Sequence, residues 1–397
     1  MALTVDAARW RRRRGVARVI DALGGADGLT RYVGGAVRDG LMGIKVSDLD
    51  LATKLRPDSV LERLKAAGVK AVPTGIEHGT ITAVSAGKPV EITTLRRDVS
   101  TDGRRATVAF TDDWREDAAR RDFTINALSA DPVSGELFDY FGGLADLEQR
   151  KVRFIGDPLQ RIAEDHLRIL RFFRFHARFG RGAPDAQALA ACTARSNDLM
   201  ALSRERIADE LVKLLGLPDP VETVALMLER EILKPIVPEI AADSAAQLRA
   251  VVAAERKAKA APDGLRRLAA LLPRDSKTAE AVAARLKLSN KARKRLGCAA
   301  GTDLMVSPRA LAYRIGSDCA LDRLLLAGQW SEAGVIRGWT PPRLPIGGGA
   351  LIERGLTEGP IVARTLKAID RRWADNGFPE GAAFEQMVDE AVRSAIR

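Results

Sequence analysis

The sequence has little cysteine and histidine, and this excludes several kinds of site. Its 397 residues include three Cys and three His. Cys192, Cys298 and Cys319 are odd in number, far apart and in no CxxC pair, so neither a disulfide framework nor a zinc finger is expected. The histidines form no HExxH motif. A bound metal would therefore need oxygen ligands, which is typical of magnesium chemistry.

Long apolar runs are also missing. Apolar stretches are short and interrupted by charged residues, so we expect no membrane helix. Residues 2–5 precede the basic run at residues 11–14, which is the reverse of the order in a signal peptide. The sequence therefore predicts a cytoplasmic protein that is not exported.

Positive charge is in excess. The chain has 63 Lys and Arg against 52 Asp and Glu, a net charge of +11, which favours anionic partners such as nucleic acid. Residues 256–296 hold much of this excess, since Asp263, Asp275 and Glu280 are their only acidic residues. Two interpretations stay open for this segment: solvated helix faces, or a surface that binds an RNA phosphate backbone.

The residue pattern changes once along the chain. Short β-type runs alternate with turns as far as residue 154, and apolar spacing of three to four dominates after residue 156. The fold class is therefore predicted to be α+β, with an N-terminal mixed sheet followed by an all-helical remainder. A basic amphipathic helix is predicted over residues 10–23. The predicted strands are residues 30–33, 48–53, 79–85, 90–95, 107–111 and 124–129.

A glycine pair follows the first predicted strand. Gly34 and Gly35 lie between that strand and a helix N-terminus, where the missing side chains let a phosphate approach the backbone. Arg38 can add a charge-assisted contact to the same phosphate. This segment is predicted to bind phosphate.

Two aspartates share one face of the next predicted strand. Alternation puts Asp48 and Asp50 on the same face, with Leu49 and Leu51 packed behind. The two carboxylates repel each other unless a divalent cation lies between them, and two Mg²⁺ ions about 4 Å apart would suit phosphoryl transfer. Glu91, in a largely apolar strand, is expected to complete a carboxylate triad from an antiparallel neighbour.

A third motif covers residues 120–127. Arg121 can reach a phosphate, and Asp122 or Asn126 can hydrogen-bond a ribose hydroxyl, while Phe123 and Ile125 are expected to face the core. With the preceding motif, this segment is predicted to bind the sugar and phosphates of a nucleotide; without that motif, Asp122 would be a helix or turn cap.

A carboxylate and a guanidinium follow at residues 165 and 168. Asp165 and Arg168 are predicted to lie three apart on one helix face, where their polar ends can converge. The carboxylate can accept from an exocyclic amine and the guanidinium can donate to a ring nitrogen or carbonyl, so together they match the edge of C or A. The alternative is an ordinary surface ion pair. A capped helix over residues 203–211 carries Arg206, expected to be structural or to brace the nucleotide pocket.

Taken together and in order, these motifs resemble the class II CCA-adding enzyme and bacterial poly(A) polymerase family. The resemblance runs from about residue 33 to residue 215. It rests on Gly34-Gly35-x-Val37-Arg38-Asp39, Asp48-x-Asp50, Arg120-Arg121-Asp122-Phe123-Thr124-Ile125-Asn126-Ala127 and Glu164-Asp165-x-x-Arg168-x-x-Arg171.

The resemblance implies a role for each motif. Asp48 and Asp50 would be the Mg²⁺ ligands, and Glu91 would assist them. The remaining residues would bind the incoming nucleotide: Gly34, Gly35 and Arg38 its triphosphate, Arg121, Asp122 and Asn126 its ribose and phosphates, and Asp165 and Arg168 its base, supported by Arg161 and Arg171.

The resemblance also implies a domain organisation. A basic N-terminal helix would occupy residues 1–27 and a nucleotidyltransferase head residues 28–155. A helical neck that recognises the base would occupy residues 156–215. RNA-binding body and tail regions would cover residues 216–300 and 301–397.

The implied function is addition of C, C and A to the tRNA 3′ end from CTP and ATP, with Mg²⁺ and without a nucleic-acid template, releasing pyrophosphate. A polar stretch over residues 97–105, predicted to be a mobile loop, favours addition of all three residues. Two alternatives stay open: a poly(A) polymerase, and an inactive RNA-binding scaffold. No protein partner is implied.

Overall fold

The computed structural model describes residues 4–101, 106–241, 243–304, 306–357 and 359–396, without the side chains of residues 98–101 and 106–108. The chain divides into two compact units. The first unit comprises Met1–Ile207 and Arg230–Ile236, and the second comprises Ala208–Glu229 and Val237–Arg397.

A seven-stranded mixed sheet forms the centre of the first unit. Its strand order is β3-β4-β5-β2-β1-β8-β9, and β6 and β7 form a separate antiparallel pair. Only β2 and β5 run parallel among the described pairs, which makes the sheet mixed, as predicted. The strands are β1 (Thr30–Val33), β2 (Asp50–Thr53), β3 (Lys70–Gly75), β4 (Thr80–Ser85), β5 (Lys88–Thr94), β6 (Arg96–Thr101), β7 (Ala106–Phe110), β8 (Ser129–Ala130) and β9 (Leu137–Phe138).

Short helices connect the strands and extend beyond them. Asp157 is the N-cap of the helix after residue 156, because its side chain accepts from the Leu159 amide at 3.0 Å. The helices of this part of the chain are α1 (Ala7–Arg11), α2 (Val16–Ala22), α3 (Gly35–Leu41), α4 (Pro57–Ala66), α5 (Trp114–Ala119), α6 (Gly143–Glu148), α7 (Pro158–Glu164), α8 (Arg168–Phe179) and α9 (Ala186–Ala194).

Most strand predictions of the head are confirmed, but one predicted helix and one predicted strand are wrong. β4 and β5 form a hairpin that turns at Ala86 and Gly87. The single helix predicted over residues 10–23 is instead two helices: the first ends at Arg11, and the second begins after Gly15, its N-cap, which has a φ of 85°. The strand predicted over residues 124–129 is instead a 3₁₀ turn, Thr124–Asn126, followed by the short β8.

The described part of the predicted loop, residues 97–101, is a strand. β6 pairs with β7 in antiparallel register, with a bulge between Asp98 and Ser100. Residues 102–105 of the predicted mobile loop lie outside the described residues. Polarity alone favoured a loop, whereas cross-strand pairing stabilises the strand.

The second unit is helical wherever it is described. One apolar cluster packs Leu311, Leu324 and Leu325 together, and a second packs Trp373 against Phe384 and Met387. The helices from residue 204 onward are α10 (Arg204–Leu215), α11 (Val221–Glu229), α12 (Ser244–Lys257), α13 (Gly264–Leu271), α14 (Ser276–Arg285), α15 (Asn290–Ala299), α16 (Pro308–Ile315), α17 (Ser317–Leu326), α18 (Trp330–Ile336), α19 (Gly348–Glu353), α20 (Pro360–Asp375) and α21 (Gly381–Ile396). No described helix is long and apolar enough to cross a membrane.

Two cysteines of the second unit form a disulfide. Cys298 of α15 and Cys319 of α17 are bonded, with their Cα atoms 6.0 Å apart, so the expectation of no disulfide is wrong. The disulfide joins two helices that only the tertiary fold brings together. The lack of a CxxC motif therefore could not exclude it. Cys192 is free and buried.

Removing this disulfide should destabilise the second unit. The bond closes a loop across a sequence separation of 21 residues, which in the chain-entropy account corresponds to roughly 3 kcal/mol. We expect the double variant Cys298→Ser and Cys319→Ser to lose about that much free energy of unfolding in a urea titration. Cys192→Ala is the cysteine control. Equal stability of the double variant and the wild type, both measured without reductant, would contradict the prediction.

Candidate active site

The glycine turn lies between β1 and α3, as predicted. Gly34 adopts φ 64° and ψ −126°, a conformation that residues with a side chain rarely adopt. A Cβ atom at Gly34 would lie 3.0 Å from Nη1 of Arg121. The missing side chain therefore lets the backbone turn approach this guanidinium closely.

The carboxylates meet where β2 and β5 begin to pair. Asp50 is the first residue of β2 and lies opposite Glu91 of β5. The strands are parallel, so the predicted antiparallel arrangement is wrong, but paired residues of parallel strands still point to the same face. Asp48 precedes β2 rather than lying in it. Leu49 and Leu51 are buried while the carboxylates between and beside them are exposed, so the alternation is confirmed.

Burial and the neighbouring carboxylates shift the pKa of Asp50. Partial desolvation raises the pKa of Asp50, the charges of Glu91 and Asp48 raise it further, and Arg121 opposes the shift. Among the described residues, no three His, Cys, Asp or Glu side chains form a metal site by themselves. Mg²⁺ is commonly held by one or two carboxylates, with water and substrate phosphates as the other ligands. The Asp48 and Asp50 pair fits such an ion.

One open cleft of about 450 Å³ collects most of the predicted nucleotide-binding residues. Asp48 and Glu91 do not line it. Arg120 and Phe175 do, although the sequence reasoning did not select them; Arg120 adjoins the predicted Arg121, and Phe175 follows Arg171 by one helical turn. The lining residues are Gly34, Gly35, Arg38, Asp50, Arg120, Arg121, Asp122, Asn126, Asp165, Arg168, Arg171 and Phe175.

A buried chain of polar contacts runs along one wall of the cleft. Arg171 donates to Oδ2 of Asp122 from Nε at 2.8 Å and from Nη2 at 2.6 Å. Asn126 donates to Oδ1 of Asp122 at 2.9 Å and accepts from Arg38 at 2.5 Å. Burial alone would raise the pKa of Asp122, but Arg171 and the bond from Asn126 hold that pKa below its ordinary value.

Arg38 is held firmly within this series of polar contacts. Its guanidinium donates to Asp39 at 2.6–2.8 Å and stacks over the Phe179 ring at 4.1 Å. Desolvation lowers the pKa of Arg38, and the charge of Asp39 opposes the shift. The contacts fix the side chain at the cleft wall, and a phosphate would meet a guanidinium that is already oriented.

Asp165 and Arg168 both line the cleft, but not from one helix. Asp165 ends α7 in an extended conformation, φ −152° and ψ 105°, and Arg168 begins α8. The predicted shared helix face is therefore wrong. The break has a local cause, since the Asp165 carboxylate accepts from the Leu167 amide at 3.1 Å and stabilises the turn between the two helices.

Arg168 is fixed by its surroundings. It donates to Glu164 at 2.5 Å and to the carbonyls of Arg161 and Arg120 at 3.0 and 3.1 Å. Arg161 donates to the same Glu164 carboxylate at 2.7 Å. The structure thus brings Arg161 into a supporting position, as the resemblance implied.

Two further side chains hold the cleft residues. Arg206 of α10 donates to Oδ2 of Asp165 at 2.7 Å, so it braces the cleft. Asp117 of α5 contacts Arg120 at 3.1 Å and Arg121 at 3.4 Å, and their charges hold the pKa of Asp117 low against the effect of its burial. Sequence reasoning missed Asp117, whose only signal is its spacing of three and four from the two arginines.

The basic segment of the second unit is partly internal. Arg266 and Arg267 are buried with Glu255, and Arg285 contacts Glu239. Its exposed side chains include Lys277, Lys291 and Lys294. The formal charge of residues 256–296 therefore overstates the positive surface that they present.

Comparison with known families matches two segments. Residues 30–153 match the family described as the Poly A polymerase head domain, and residues 183–244 match the probable RNA and SrmB-binding site of polymerase A. The mitochondrial CCA tRNA nucleotidyltransferase 1 of Mus musculus is 49% identical over 188 residues, and the CCA-adding enzyme of Levilactobacillus brevis is 41% identical over 186 residues. The alignments cover 47% and 46% of this chain but only 43% and 45% of those relatives.

Solved structures are similar over nearly the whole chain. The Bacillus stearothermophilus CCA-adding enzyme in complex with CTP has a TM-score of 0.73 and 28% identity, covering 95% of this chain and 96% of that one. The Thermotoga maritima CCA-adding enzyme complexed with tRNA has a TM-score of 0.68 at 21% identity, covering 99% of this chain and all of that one, a likeness of fold alone. The resemblance to CCA-adding enzymes and poly(A) polymerases that the motifs indicated is therefore confirmed, with a Poly A polymerase head domain over residues 30–153.

Proposed function

We propose that the protein is a nucleotidyltransferase that adds C, C and A to the 3′ end of tRNA from CTP and ATP, without a nucleic-acid template. One observation carries this proposal: a single cleft gathers a phosphate-binding glycine turn, a strand-borne carboxylate and the pair Asp165 and Arg168. The names of the similar proteins, and the CTP in one of them, support the same function.

We propose Asp48 and Asp50 as the ligands of Mg²⁺, with Glu91 assisting. Bound there, the ion would neutralise charge on the triphosphate and on the attacking oxygen. The protein holds the carboxylates rigidly, because β2 is paired with a strand on each side and Leu49 and Leu51 are buried in the core.

The triphosphate and ribose would lie between the glycine turn and the wall formed by residues 120–126. Gly34 and Gly35 expose backbone, and Arg38 and Arg121 supply positive charge beside it. Attack of the RNA 3′-hydroxyl on the α-phosphorus then forms the new phosphodiester and releases pyrophosphate. Asp122 and Asn126 are assigned to the ribose, with Arg171 orienting Asp122.

Base selection is assigned to Asp165 and Arg168. A carboxylate that accepts from an exocyclic amine, and a guanidinium that donates to ring acceptors, suit C and A but neither G nor U. Their anchoring supports this role, since Arg206 orients Asp165 and Glu164 orients Arg168. Both polar groups are therefore held in place before the nucleotide enters.

Replacing Asp165 by Ala should weaken base selection rather than the phosphate chemistry. Loss of the acceptor is expected to reduce discrimination between CTP and UTP by about 1–3 kcal/mol. The measurement is kcat/KM for both nucleotides on tRNA that lacks its 3′ end. Asp209→Ala, which removes an exposed partner of Lys213 on α10, is the control. A uniform loss for both nucleotides would contradict the assignment.

The RNA-binding surface is proposed to include the exposed lysines of residues 256–296. Lys291 and Lys294 lie one helical turn apart on α15, and both are exposed. Such side chains bind phosphates without sequence preference. The predicted domain boundaries, and a cytoplasmic location, stay predictions.

Product length tests the proposal. We expect the wild type, given Mg²⁺, CTP, ATP and tRNA lacking its 3′ end, to extend the RNA by three nucleotides and to release one pyrophosphate per nucleotide. A long ladder made from ATP alone would indicate a poly(A) polymerase. RNA binding without any extension would indicate the scaffold.

A further inference from the structure

A group of polar side chains lies beside the turn that carries Asp165. Nδ1 of His166 is 3.8 Å from Oδ2 of Asp198, and Nε of Arg195 is 2.6 Å from the same oxygen. All three atoms are buried, and none makes a hydrogen bond of acceptable geometry. Asp198 belongs to the 3₁₀ segment Ser196–Ala201 that follows α9.

These buried polar atoms destabilise the fold unless another conformation of the protein gives them hydrogen bonds. A buried polar atom without a partner costs about 1–3 kcal/mol, and nearly all such atoms in native proteins are satisfied. The gap between His166 and Asp198 exceeds a charge-assisted hydrogen bond by about 1 Å. A movement of the turn of that size would close it.

His166 is the neighbour of Asp165, so the two side chains share one short backbone turn. Asp165 is otherwise fixed through its carboxylate, by the Leu167 amide and by Arg206. A displacement of about 1 Å at a substrate contact can change a rate by about a hundredfold. The contact between His166 and Asp198 is therefore well placed to set where Asp165 meets the base.

We propose that His166 is a positioning residue for base selection: when its imidazole closes the 3.8 Å gap to Asp198, it sets the orientation of the turn from which Asp165 reaches the cleft. The inference rests on the proposed function and deepens it. An Nδ1–H donor is present in the imidazolium and in one neutral tautomer, so the contact does not require a charged histidine. Once the turn has moved, Asp198 would accept that bond, and Arg195, whose Nε lies 2.6 Å from the same oxygen, would share the carboxylate.

Kinetics on tRNA lacking its 3′ end test the proposal. His166→Ala and Asp198→Ala should each lower the ratio of kcat/KM for CTP to that for UTP by about tenfold, the effect of one net hydrogen bond. The change should lie mainly in the KM for CTP. His166→Asn should stay near the wild-type ratio, because the asparagine amide can donate from the position of Nδ1. His78→Ala, at an exposed histidine of the first unit, is the control.

Three outcomes would overturn the proposal: an unchanged ratio in His166→Ala, an equal loss for both nucleotides, or a ratio in His166→Asn as low as in His166→Ala. Activity of the wild type in the same assay reports on the proposed function alone. Dissociation constants for CTP and UTP, measured by calorimetry on the same variants, give the comparison independently of catalysis.

Discussion

Replacing Asp50 by Asn is expected to lower CMP and AMP transfer by about a thousandfold, and Asp48→Asn should have a similar effect. The substitution keeps the shape of the side chain and removes one charge at the site assigned to the cation. It should not lower the melting temperature, because Asp48, Asp50 and Glu91 repel one another in the absence of a cation.

Primer extension under single-turnover conditions measures the effect, and thermal unfolding controls for the fold. The matched control is Asp58→Asn, an exposed aspartate in the first turn of α4. Retention of more than about a tenth of the activity, equivalent to ~1.4 kcal/mol, in both site variants would remove the two aspartates from the metal site.

Replacing Glu255 by Gln should destabilise the second unit by about 3–5 kcal/mol. The Glu255 carboxylate accepts from Arg266 at 2.7 Å and from Arg267 at 2.9 Å, and all three side chains are almost fully buried. Without it, the partners of the buried Arg267 charge among the described residues are the backbone carbonyls of Leu215 and Leu217. The cost comes mainly from Arg267, which stays buried after its anion is lost, whereas Arg266 keeps the Asp322 carboxylate at 2.8 Å.

Urea unfolding followed by circular dichroism measures the change. Glu222→Gln is the matched control, because the partner of Glu222, Arg249, is exposed and such pairs contribute about 0–1 kcal/mol. Equal losses for the two variants would contradict the account of the buried network.

The features that could be predicted from the sequence are those set by the alternation of apolar and polar residues and by local motifs. Leu49 and Leu51 alternate with aspartates, so the exposed carboxylate face followed from a strand of either direction. The glycine turn followed from a strand, two glycines and a helix in succession. These features depend on neighbours in the chain, and the structure confirms them.

Features set by distant residues could not be predicted. The direction of β5 relative to β2 depends on how the chain returns to the sheet, and no local pattern of Glu91 records it. Apolar spacing continues across Asp165, so the break between α7 and α8 was missed; Arg206, 41 residues away, helps to hold it. The burial of Arg266 and Arg267 depends likewise on Glu255.

Stepwise addition tests the central claim most directly. Three tRNA substrates, ending before the first C, after the first C and after the second C, are each incubated with one of the four nucleotides and Mg²⁺. The account predicts that the first two substrates accept only CTP, that the third accepts only ATP, and that extension then stops. Repeated addition of AMP to all three substrates, or equal use of UTP and CTP, would contradict it.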